Sequence, residues 1–428
     1  MGWGMESLMK VLVAHPSQQH SYRLATSLSG AGMLAGYVTT VYAKPRSLTR
    51  LAAAMLPARW KKKALARHCE DLDDAQVVQL CEAGGLFVLF FHNIPFFRRW
   101  YWQVKRMVED RFGRKVARYA KELGADAVVC YDGCSTTLFE EVKRISPGTV
   151  CIVDMSAANA LYLRDVFERD RRLKSEFEES LFMWNRIWDP IDVARTEREI
   201  AAADRFLCGS EFVKRSLEYS AIASDRCEVC HYGVDVEAFP YRERRAKSEG
   251  DPLVFVYLGQ VSEHKGISYL LEAFESIDLD TAKLVLVGSV NIPEIVRVCC
   301  GKNVTFTGAI PHDEVSAILL KADVMLFPSL GDGFPLSIME GFASGLPVIC
   351  SENTGAADCV VEGENGFVVP VQDAEALRER VEWFVNNKEG LPRMAQAARR
   401  HVLGFTWDAY YKNAARAVAR MVEAGVYE

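Results

Sequence analysis

The sequence predicts an α/β protein with two Rossmann-like domains, each built on a doubly wound sheet of mainly parallel strands. Short apolar runs alternate with helical patterns along all 428 residues, an order that is typical of βαβ units. Runs such as LVLVG and VMLFPS lack polar residues at alternate positions, as expected for strands that helices cover on both faces. A charged segment bracketed by prolines, Pro240–Pro252, is interpreted as the linker between the domains.

The predicted organisation is a first domain at residues 1–238, a linker at 239–252, a second domain at 253–405 and a closing segment at 406–428. The first domain begins with a strand and a helix, and its predicted elements are Lys10–Ala14, the helix from about Ser21 to Leu34, and strands at Val38–Tyr42, Leu86–Phe91, Ala127–Cys130, Thr149–Val153 and Phe206–Cys208. The second domain's predicted strands are Leu253–Leu258, Lys283–Val287, Val304–Thr307, Val324–Phe327, Val348–Cys350 and Gly366–Val369. A last helix, Trp407–Val422, follows the second sheet.

Composition narrows the class of protein. The formal net charge is −6, whereas general nucleic-acid binders present basic surfaces, so we expect no nucleic-acid partner. The sequence has no apolar run close to the ~20 residues that a membrane helix requires. The first ten residues lack the pattern of a secretory signal, and the twelve cysteines are expected to be reduced thiols in the cytoplasm.

The most informative segment is Pro328–Ser351, PSLGDGFPLSIMEGFASGLPVICS. A glycine-rich turn carries Asp332, and a helix from about Pro335 to Ser344 carries Glu340. Burial of a glutamate among the apolar residues of this helix requires a partner, which favours a binding role. The alternative is a solvated loop acid and an ordinary helix glutamate. The backbone amides expected to face the same cleft are those of Phe334, Leu336 and Ser337.

Two further segments of the second domain are predicted to lie beside this one. In Val256–Phe274, a strand ends at Gly259 and Lys265 precedes a helix, an arrangement that suits phosphate because the helix N-terminus and the lysine are both positive. In Val304–Phe327, Gly308 and a polar loop would line the crevice at a topological switch point. The alternative for both segments is an ordinary connection between a strand and a helix.

In these segments the chain resembles the retaining glycosyltransferases of family 4, which have the two-domain fold called GT-B. That family carries a Glu-x7-Glu motif, and this chain has Asp332 and Glu340 at the same spacing, so the first acid is one methylene shorter. The resemblance covers about residues 200–428 and includes HYGVDVEAF at His231–Phe239 and SENTGAADCVVEGENGFVVP at Ser351–Pro370. The first 200 residues fit only in their alternation of elements. The resemblance implies that the closing helix crosses back onto the first domain, which makes closure of the cleft possible.

The resemblance implies a role for each matching residue. Glu340 would accept hydrogen bonds from the donor ribose, Asp332 would contact the transferred sugar, and Lys265 would neutralise the leaving diphosphate. The implied catalytic residues are these three. The implied donor-binding residues are Gly259, Gln260, Lys265, Gly308, Asp332, Gly333, Phe334, Pro335, Leu336 and Glu340. Gln260 stands where the family usually has an arginine, so a second phosphate-binding cation is missing at that position.

The first domain is expected to bind the acceptor. The loop after its first strand, HPSQQHS at His15–Ser21, occupies the position that faces the cleft in such folds. The acceptor-side candidates are His15, Gln18, His20 and, on a second strand end, Asp154. The alternative for the histidines is a purely structural role, and no catalytic base is assigned.

Two basic stretches of the first domain indicate a further partner. Residues 44–67 hold eight lysines or arginines and no acid, and residues 98–118 hold eight against two acids. At the start of the second stretch, Pro95–Trp102 combines aromatic residues with Arg98 and Arg99, a mixture that suits an anionic membrane surface. Such a surface would imply a lipid-linked acceptor and a peripheral position at the inner face of the membrane. The alternative is an aromatic core with solvated charges.

The sequence therefore predicts an enzyme that moves a hexose from a UDP- or GDP-linked nucleotide-sugar to a saccharide or lipid-linked acceptor with retention, in surface polysaccharide or glycolipid biosynthesis. The nucleotide-sugar is a substrate, and we expect neither a metal nor a cofactor, since cations and helix N-termini stabilise the leaving diphosphate in this fold. The alternatives are a GT-B sugar-nucleotide epimerase or hydrolase, and a non-catalytic sugar-nucleotide-binding partner in a biosynthetic complex.

Overall fold

The computed structural model describes residues 9–18, 20–181, 187–244, 247–248, 250–299 and 301–425. Within these ranges the chain forms one sheet of seven strands and one of six, and every pairing between neighbouring strands is parallel. The predicted fold class, two Rossmann-like doubly wound domains, is confirmed.

The first sheet is built from buried aliphatic runs. Its strands are β1 (Val11–His15), β2 (Leu34–Thr39), β3 (Val77–Gln79), β4 (Ala127–Tyr131), β5 (Val150–Met155), β6 (Arg205–Cys208) and β7 (Cys227–Val229). They lie in the order β3-β2-β1-β4-β5-β6-β7. The chain moves outward from β1 in one direction and from β4 in the other, so the topological switch point of this domain lies between β1 and β4.

Helices cover both faces of this sheet. They are α1 (Ser21–Gly30), α2 (Leu48–Ala54), α3 (Ala58–Leu65), α4 (Glu82–Asn93), α5 (Tyr101–Leu123), α6 (Thr136–Ile145), α7 (Ala160–Leu173), α8 (Glu178–Leu181), α9 (Pro190–Ala202) and α10 (Glu211–Leu217). Side chains cap several of them: Asn159 accepts from the Leu161 amide before α7, and Ser210 accepts from the Val213 amide before α10. The helix α5 ends at Gly124 in the left-handed conformation, where glycine is favoured.

The second sheet repeats the same order with six strands. They are β8 (Leu253–Leu258), β9 (Ala282–Val287), β10 (Val304–Gly308), β11 (Val324–Phe327), β12 (Val348–Ser351) and β13 (Gly366–Val369), arranged β10-β9-β8-β11-β12-β13. The helices are α11 (Ile267–Phe274), α12 (Glu294–Cys299), α13 (His312–Leu319), α14 (Leu336–Ala343), α15 (Ala374–Asn386) and α16 (Leu391–Val402). The switch point here lies between β8 and β11.

The last helix, α17 (Trp407–Gly425), crosses back to the first domain as predicted and packs on α1. The Arg23 guanidinium lies 4.4 Å from the Trp407 ring and donates a 2.6 Å hydrogen bond to the Tyr411 hydroxyl. The Ser27 hydroxyl donates to the Tyr411 carbonyl at 2.5 Å. The C-terminal helix therefore continues the chain from the second domain and packs against the first domain.

The predicted linker at 239–252 lies between β7 and β8 in the chain, and its residues 245, 246 and 249 lie outside the described ranges. One of its side chains is held by the second domain: Arg244 Nε donates to the Gly345 carbonyl at 3.1 Å, and Nη2 donates to the Leu319 carbonyl at 3.2 Å. These bonds attach this part of the linker to the second domain.

Three sequence predictions for the first domain differ from the structure. The strand predicted at Leu86–Phe91 is wrong, because these residues lie within the helix α4; a continuous apolar run does not distinguish a buried strand from a helix. The helix predicted to reach Leu34 ends at Gly30, where a turn with Gly32 at φ 72° leads into β2. The strand predicted at Val38–Tyr42 corresponds to β2, which begins four residues earlier and ends at Thr39. The three-residue strand β3 has no counterpart among the predicted strands.

No helix in the described ranges is both long enough and apolar enough to cross a membrane.

Candidate active site

A cavity of about 360 Å³ opens at the switch point of the second sheet. It lies at the carboxyl ends of β8 and β11, where ligands bind in open α/β sheets. Most of the predicted donor-binding side chains come together there. The lining residues are Leu258, Gly259, Gln260, Lys265, His312, Val315, Phe327, Asp332, Pro335, Ser337 and Glu340.

Close backbone approach brings the two main loops of the crevice together. Gly266, which precedes α11, has φ 71°, and a Cβ atom added to it would lie 1.9 Å from the Pro328 carbonyl oxygen. Any other residue would push the loop that carries Lys265 away from the loop after β11, since real Cβ contacts are not this short. The glycine therefore sets the distance between Lys265 and the turn that carries Asp332.

Lys265 and Asp332 form an ion pair across the crevice, with the lysine ammonium donating to Asp332 Oδ2. The two side chains are 17% and 18% exposed. Lys265 Nζ also lies 5.4 Å from the centre of the Phe327 ring, within the range of a cation–π contact. The lysine is thus held over the end of β11 and stays accessible from the cavity.

The backbone on both sides of Asp332 is fixed by the segment after β12. The Asp332 amide donates to the Asn353 carbonyl at 2.9 Å, and the Gly355 amide donates to the Asp332 carbonyl at 2.8 Å. These two bonds hold the acidic turn as a short parallel bridge. The side chain of Asp332 is therefore presented from a rigid support.

Glu340 lies on α14, whose first turn faces the same cavity. The helix begins at Leu336 after Pro335, whose side chain makes no capping hydrogen bond. The first amides of the helix point out of it and carry its positive end. Burial raises the pKa of Glu340, and the nearby His312 opposes this shift. The crevice thus combines a lysine, a helix N-terminus and a half-buried carboxylate.

The remaining predicted donor-binding residues lie around the cavity and outside its lining. Gly308 ends β10, and its carbonyl accepts from the Gly288 amide at 3.1 Å. Leu336 is exposed on α14, and Phe334 is buried against the His231 and Tyr232 rings at 5.6 and 5.8 Å.

Gly333 is packed against the first domain. A Cβ atom at this position would lie 2.0 Å from the Ser156 carbonyl oxygen. The Gly333 carbonyl accepts a 2.7 Å hydrogen bond from the Ser210 hydroxyl of the first domain. The turn that carries Asp332 therefore contacts both domains.

Three of the four acceptor-side candidates lie together at the switch point of the first sheet. His20 Nε2 lies 3.4 Å from Asp154 Oδ1, and the His20 and His15 rings each lie 5.0 Å from the Tyr131 ring. His15 is the last residue of β1 and is buried, and its Nδ1 accepts from the Ser17 amide at 2.8 Å. Gln18, the fourth candidate, is exposed and outside this cluster.

The structure adds Tyr232 to this cluster. Its hydroxyl lies 2.9 Å from His20 Nε2 and 3.5 Å from Asp154 Oδ1. Asp154 is buried, and its Oδ2 has no hydrogen-bond partner among the described residues. Tyr232 belongs to the HYGVDVEAF segment, so that match was the available signal. Because Ser156 contacts Gly333, this cluster lies beside the turn that carries Asp332.

Comparison with known proteins places the second domain in a class. Residues 241–401 match the family model described as "Glycosyl transferases group 1". These residues include Lys265, Asp332 and Glu340, the three predicted catalytic residues. The GT-B group 1 type is thus supported for the second domain.

Relatives are similar over about half of this chain. An uncharacterized glycosyltransferase of Methanocaldococcus jannaschii is 24% identical over 48% of this chain and 56% of its own length. The D-rhamnosyltransferase WbpZ of Pseudomonas aeruginosa is 26% identical over 47% of this chain and 53% of its own length. The chain thus spans about half the length of the curated relatives it matches.

Solved structures are similar over nearly the whole chain. Sucrose-phosphate synthase from Thermosynechococcus elongatus has a TM-score of 0.66 at 17% identity, covering 97% of this chain and 100% of its own. Anabaena Alr3699/HepE in complex with UDP has a TM-score of 0.59 at 13% identity, covering 97% and 100%. At these identities the likeness extends the GT-B fold to the first domain.

Proposed function

We propose that this protein is a retaining glycosyltransferase of family 4 that transfers a hexose from a UDP- or GDP-linked donor. The observation that carries the proposal is the crevice at the switch point, where Lys265, Asp332 and Glu340 line one cavity with the first turn of α14. A diphosphate binds to positive groups, and ribose hydroxyls donate hydrogen bonds to a carboxylate. This crevice offers both kinds of group. The family match over residues 241–401 supports the same class.

In the proposed reaction the bond between the anomeric carbon and the diphosphate oxygen breaks, and a bond to the acceptor oxygen forms on the same face of the sugar. The acceptor proton passes to the leaving phosphate oxygen. Lys265 and the α14 amides stabilise the charge that develops on the diphosphate, so the proposal requires no metal. Asp332 contacts the transferred hexose, and Glu340 accepts from the ribose hydroxyls.

The proposed acceptor is a saccharide or a lipid-linked saccharide of surface polysaccharide or glycolipid biosynthesis. Supporting this, the relative WbpZ is a D-rhamnosyltransferase by name. The cluster of His20, Asp154 and Tyr232 lies next to Gly333 and thus beside the donor crevice. Its hydroxyl and carboxylate groups suit sugar hydroxyls.

An anionic membrane surface is the proposed site of action. Phe96 is 68% exposed in a 3-10 helix at Pro95–Trp100, and the Arg99 guanidinium lies 3.8 Å from the Trp100 ring. Lys61, Lys62 and Lys63 are exposed on α3. Neutralising Arg98, Arg99 and these lysines is expected to abolish binding to anionic liposomes, and unchanged liposome binding and activity would remove the membrane from the proposal.

The first test measures the melting temperature of the full chain with a panel of UDP- and GDP-linked hexoses. Binding of one donor at 100 times its dissociation constant stabilises the folded state by about 2.7 kcal/mol. The shift is expected with one nucleotide and is expected to be lost in Glu340→Ala. The matched control is Glu364→Ala, an exposed glutamate of the same domain.

Turnover then separates the proposed function from its rivals. Release of nucleoside diphosphate that depends on an added acceptor supports a transferase. Release without acceptor favours a hydrolase or epimerase, and donor binding without any release favours a non-catalytic partner of a biosynthetic complex. No melting shift with any donor, with or without acceptor, would contradict all three.

A further inference from the structure

A further cavity lies in the first domain, away from the crevice of the second domain. It has a volume of about 700 Å³, which is the size of small-molecule sites. The helices α2, α3, α4 and α5 enclose it. Its walls are mainly apolar, with Leu56 following α2, Ala64 from α3, Leu86 and Leu89 from α4, and Val108 from α5. Most of a ligand bound in this cavity would leave water and contact apolar side chains, which favours an apolar ligand.

The position of α4 shapes this cavity. A Cβ atom at Gly85 would lie 2.2 Å from Thr40 Oγ1, and one at Gly84 would lie 3.2 Å from the Val108 side chain. The two glycines let α4 lie directly on the end of β2 and on α5. The remaining apolar residues of α4 are then divided between the cavity, which Leu86 and Leu89 line, and the solvent, to which Phe87 is 60% exposed.

One end of the cavity reaches the acceptor side of the cleft. Pro16 and Ser17, which line it, directly follow β1, and Thr40 directly follows β2. The Ser17 amide donates a hydrogen bond to His15, and the same loop leads to His20 in the cluster with Asp154 and Tyr232. An elongated occupant would therefore have one end beside the residues proposed to bind the acceptor.

Cations stand among the lining residues. Lys63 is exposed and lines the cavity, so it lies at the opening. Arg67 is partly buried, burial lowers its pKa, and the groups that oppose this shift are Tyr22 and Tyr37, which are uncharged at neutral pH. The surrounding residues 44–67 include no acid. Lys63 and Arg67 therefore make part of the cavity lining complementary to an anion.

A buried carboxylate oxygen supplies a further polar contact. Glu109 is 4% exposed and lines the cavity, with Oε1 accepting from Lys105. Its Oε2 has no hydrogen-bond partner among the described residues. A buried acceptor without a donor is unfavourable, so a hydroxyl group on the occupant that donates to Oε2 would stabilise this position.

The surface around the cavity is unusually apolar. Leu51, Met55 and Phe96 are 64%, 78% and 68% exposed, and they belong to the same group of helices and connections. Exposed apolar residues next to lysines are typical of surfaces that meet lipid headgroups. A hydrocarbon chain entering the cavity would pass from such a surface without crossing water.

We infer that the cavity under α2–α5 binds the hydrocarbon chain of a lipid that carries a phosphate and hydroxyl groups. The inference rests on the proposed function in one respect, because this lipid would be the acceptor and its head would reach the cluster around His20. Lys63 and Arg67 would contact the phosphate, and Glu109 would accept from a hydroxyl.

The test measures binding of dodecyl phosphate, below its micelle concentration, to the full chain by titration calorimetry. Ala52 of α2 lines the cavity, whereas Ala54 of the same helix is exposed and outside the lining. Ala52→Phe is expected to weaken binding about tenfold or more, equivalent to about 1.4 kcal/mol, and Ala54→Phe to leave it unchanged. Ala64→Phe, which fills the cavity from α3, is the second variant should Ala52→Phe fold poorly.

Two variants that each remove one positive charge test the phosphate contact. Lys63→Ala is expected to weaken binding of dodecyl phosphate, while Arg59→Ala, an exposed position on the same helix but outside the cavity lining, is expected to have no effect. Binding that is equal in Ala52→Phe, Ala64→Phe and Ala54→Phe would show adsorption to the surface and overturn the inference, as would no saturable binding.

Donor melting shifts measured on the same samples separate the two proposals. A donor shift without dodecyl phosphate binding overturns the lipid site and leaves the proposed function standing. Dodecyl phosphate binding that Ala52→Phe weakens, in a chain that no donor stabilises, supports the lipid site and removes the donor function.

Discussion

Lys265 donates a hydrogen bond to Asp332 across the crevice of the second domain and so joins the loop after β8 to the loop after β11. The acid proposed to contact the sugar therefore holds the cation proposed to neutralise the diphosphate. A bound donor would place phosphate oxygens in competition with Asp332 for the lysine ammonium. The pair orients Lys265 before the donor arrives, which reduces the ordering that catalysis requires.

Removing the cation tests this arrangement. Lys265→Ala is expected to lower kcat by about 10²–10³-fold, because charge on the leaving diphosphate loses a positioned donor. Initial rates of nucleoside diphosphate release with saturating acceptor provide the measurement. Lys283→Ala, an exposed lysine of the same domain, is the control and is expected to retain full activity. Equal rates in the two variants would exclude Lys265 from the transition state.

The shorter acid of the motif can be tested by restoring the missing methylene. Asp332→Asn keeps the shape of the side chain but removes the charge that pairs with Lys265, and we expect it to lower kcat by about tenfold or more. Asp332→Glu keeps the charge and is expected to retain more activity than the asparagine variant. Steady-state kinetics with the donor identified by melting shifts measures both, and an asparagine variant as active as the native chain would contradict a role for this acid.

The arrangement of the crevice proposed to bind the donor follows largely from local sequence patterns. Strand ends, Gly266 and the spacing of Asp332 and Glu340 are all visible in the chain, and parallel strands bring their carboxyl ends to one edge. His312 was not assigned a role, because its approach to Glu340 depends on how α13 packs. Tyr232 was missed for a similar reason: it meets His20 across 212 residues of chain.

The cavity in the first domain could not be predicted from the sequence. The apolar run at Leu86–Phe91 reads equally well as a strand or a helix, and its assignment decides whether a cavity exists. Gly84 and Gly85 give weak local signals, since their importance lies in contacts with Val108 and Thr40. The apolar pattern shows that residues are buried somewhere, whereas only tertiary packing shows which of them face a cavity.

Donor affinity is expected to depend on pH through Glu340. Burial raises the pKa of this carboxyl, so it loses its charge at a higher pH than an ordinary glutamate, whose pKa is about 4.3. As the pH falls through this raised pKa, the carboxylate loses acceptor capacity for the ribose and the donor dissociation constant rises. Calorimetric titrations between about pH 5 and about pH 8 measure the effect.

The control for this pH dependence is the amide variant. Glu340→Gln is expected to bind the donor about tenfold more weakly at neutral pH, because a hydrogen bond to a charged group contributes about 1.5–3 kcal/mol. Its dissociation constant is expected to change little over the same pH range. A native chain and a glutamine variant with parallel pH profiles would assign the titration to another group.

A buried carboxyl pair between the domains is expected to make stability depend on pH. Asp170 of α7 accepts from the Tyr269 hydroxyl at 2.7 Å, and Glu263 accepts from the Ser268 amide at 3.1 Å. Burial raises the pKa of both carboxyl groups. The negative charge of Asp170 raises the pKa of Glu263 further. The folded state therefore retains a proton that the unfolded chain releases at about pH 4.3, the ordinary glutamate pKa.

The sign of this linkage follows from the raised pKa. The stability that the proton contributes is fully present below about pH 4.3, the ordinary glutamate value, and is lost as pH rises through the folded-state pKa. Glu263→Gln keeps a neutral side chain at every pH, so its urea midpoint is expected to fall less than that of the native chain between about pH 6 and about pH 9. Glu275→Gln, at an exposed position, is the control, and a native midpoint that falls no more than the glutamine variant's would contradict the shared proton.

The contact between Gly333 and Ser156 is expected to couple domain packing to catalysis. A methyl group in Gly333→Ala would meet the Ser156 carbonyl oxygen at 2.0 Å, so the turn or the domain interface must move. Because Asp332 is the preceding residue, a displacement on the order of 1 Å is expected to lower kcat by about 10²-fold. Gly148→Ala, where the added methyl group has no neighbour within 4 Å, is the control. Kinetics and small-angle scattering on both variants measure activity and domain separation, and an unchanged kcat in Gly333→Ala would show that the turn adjusts without moving Asp332.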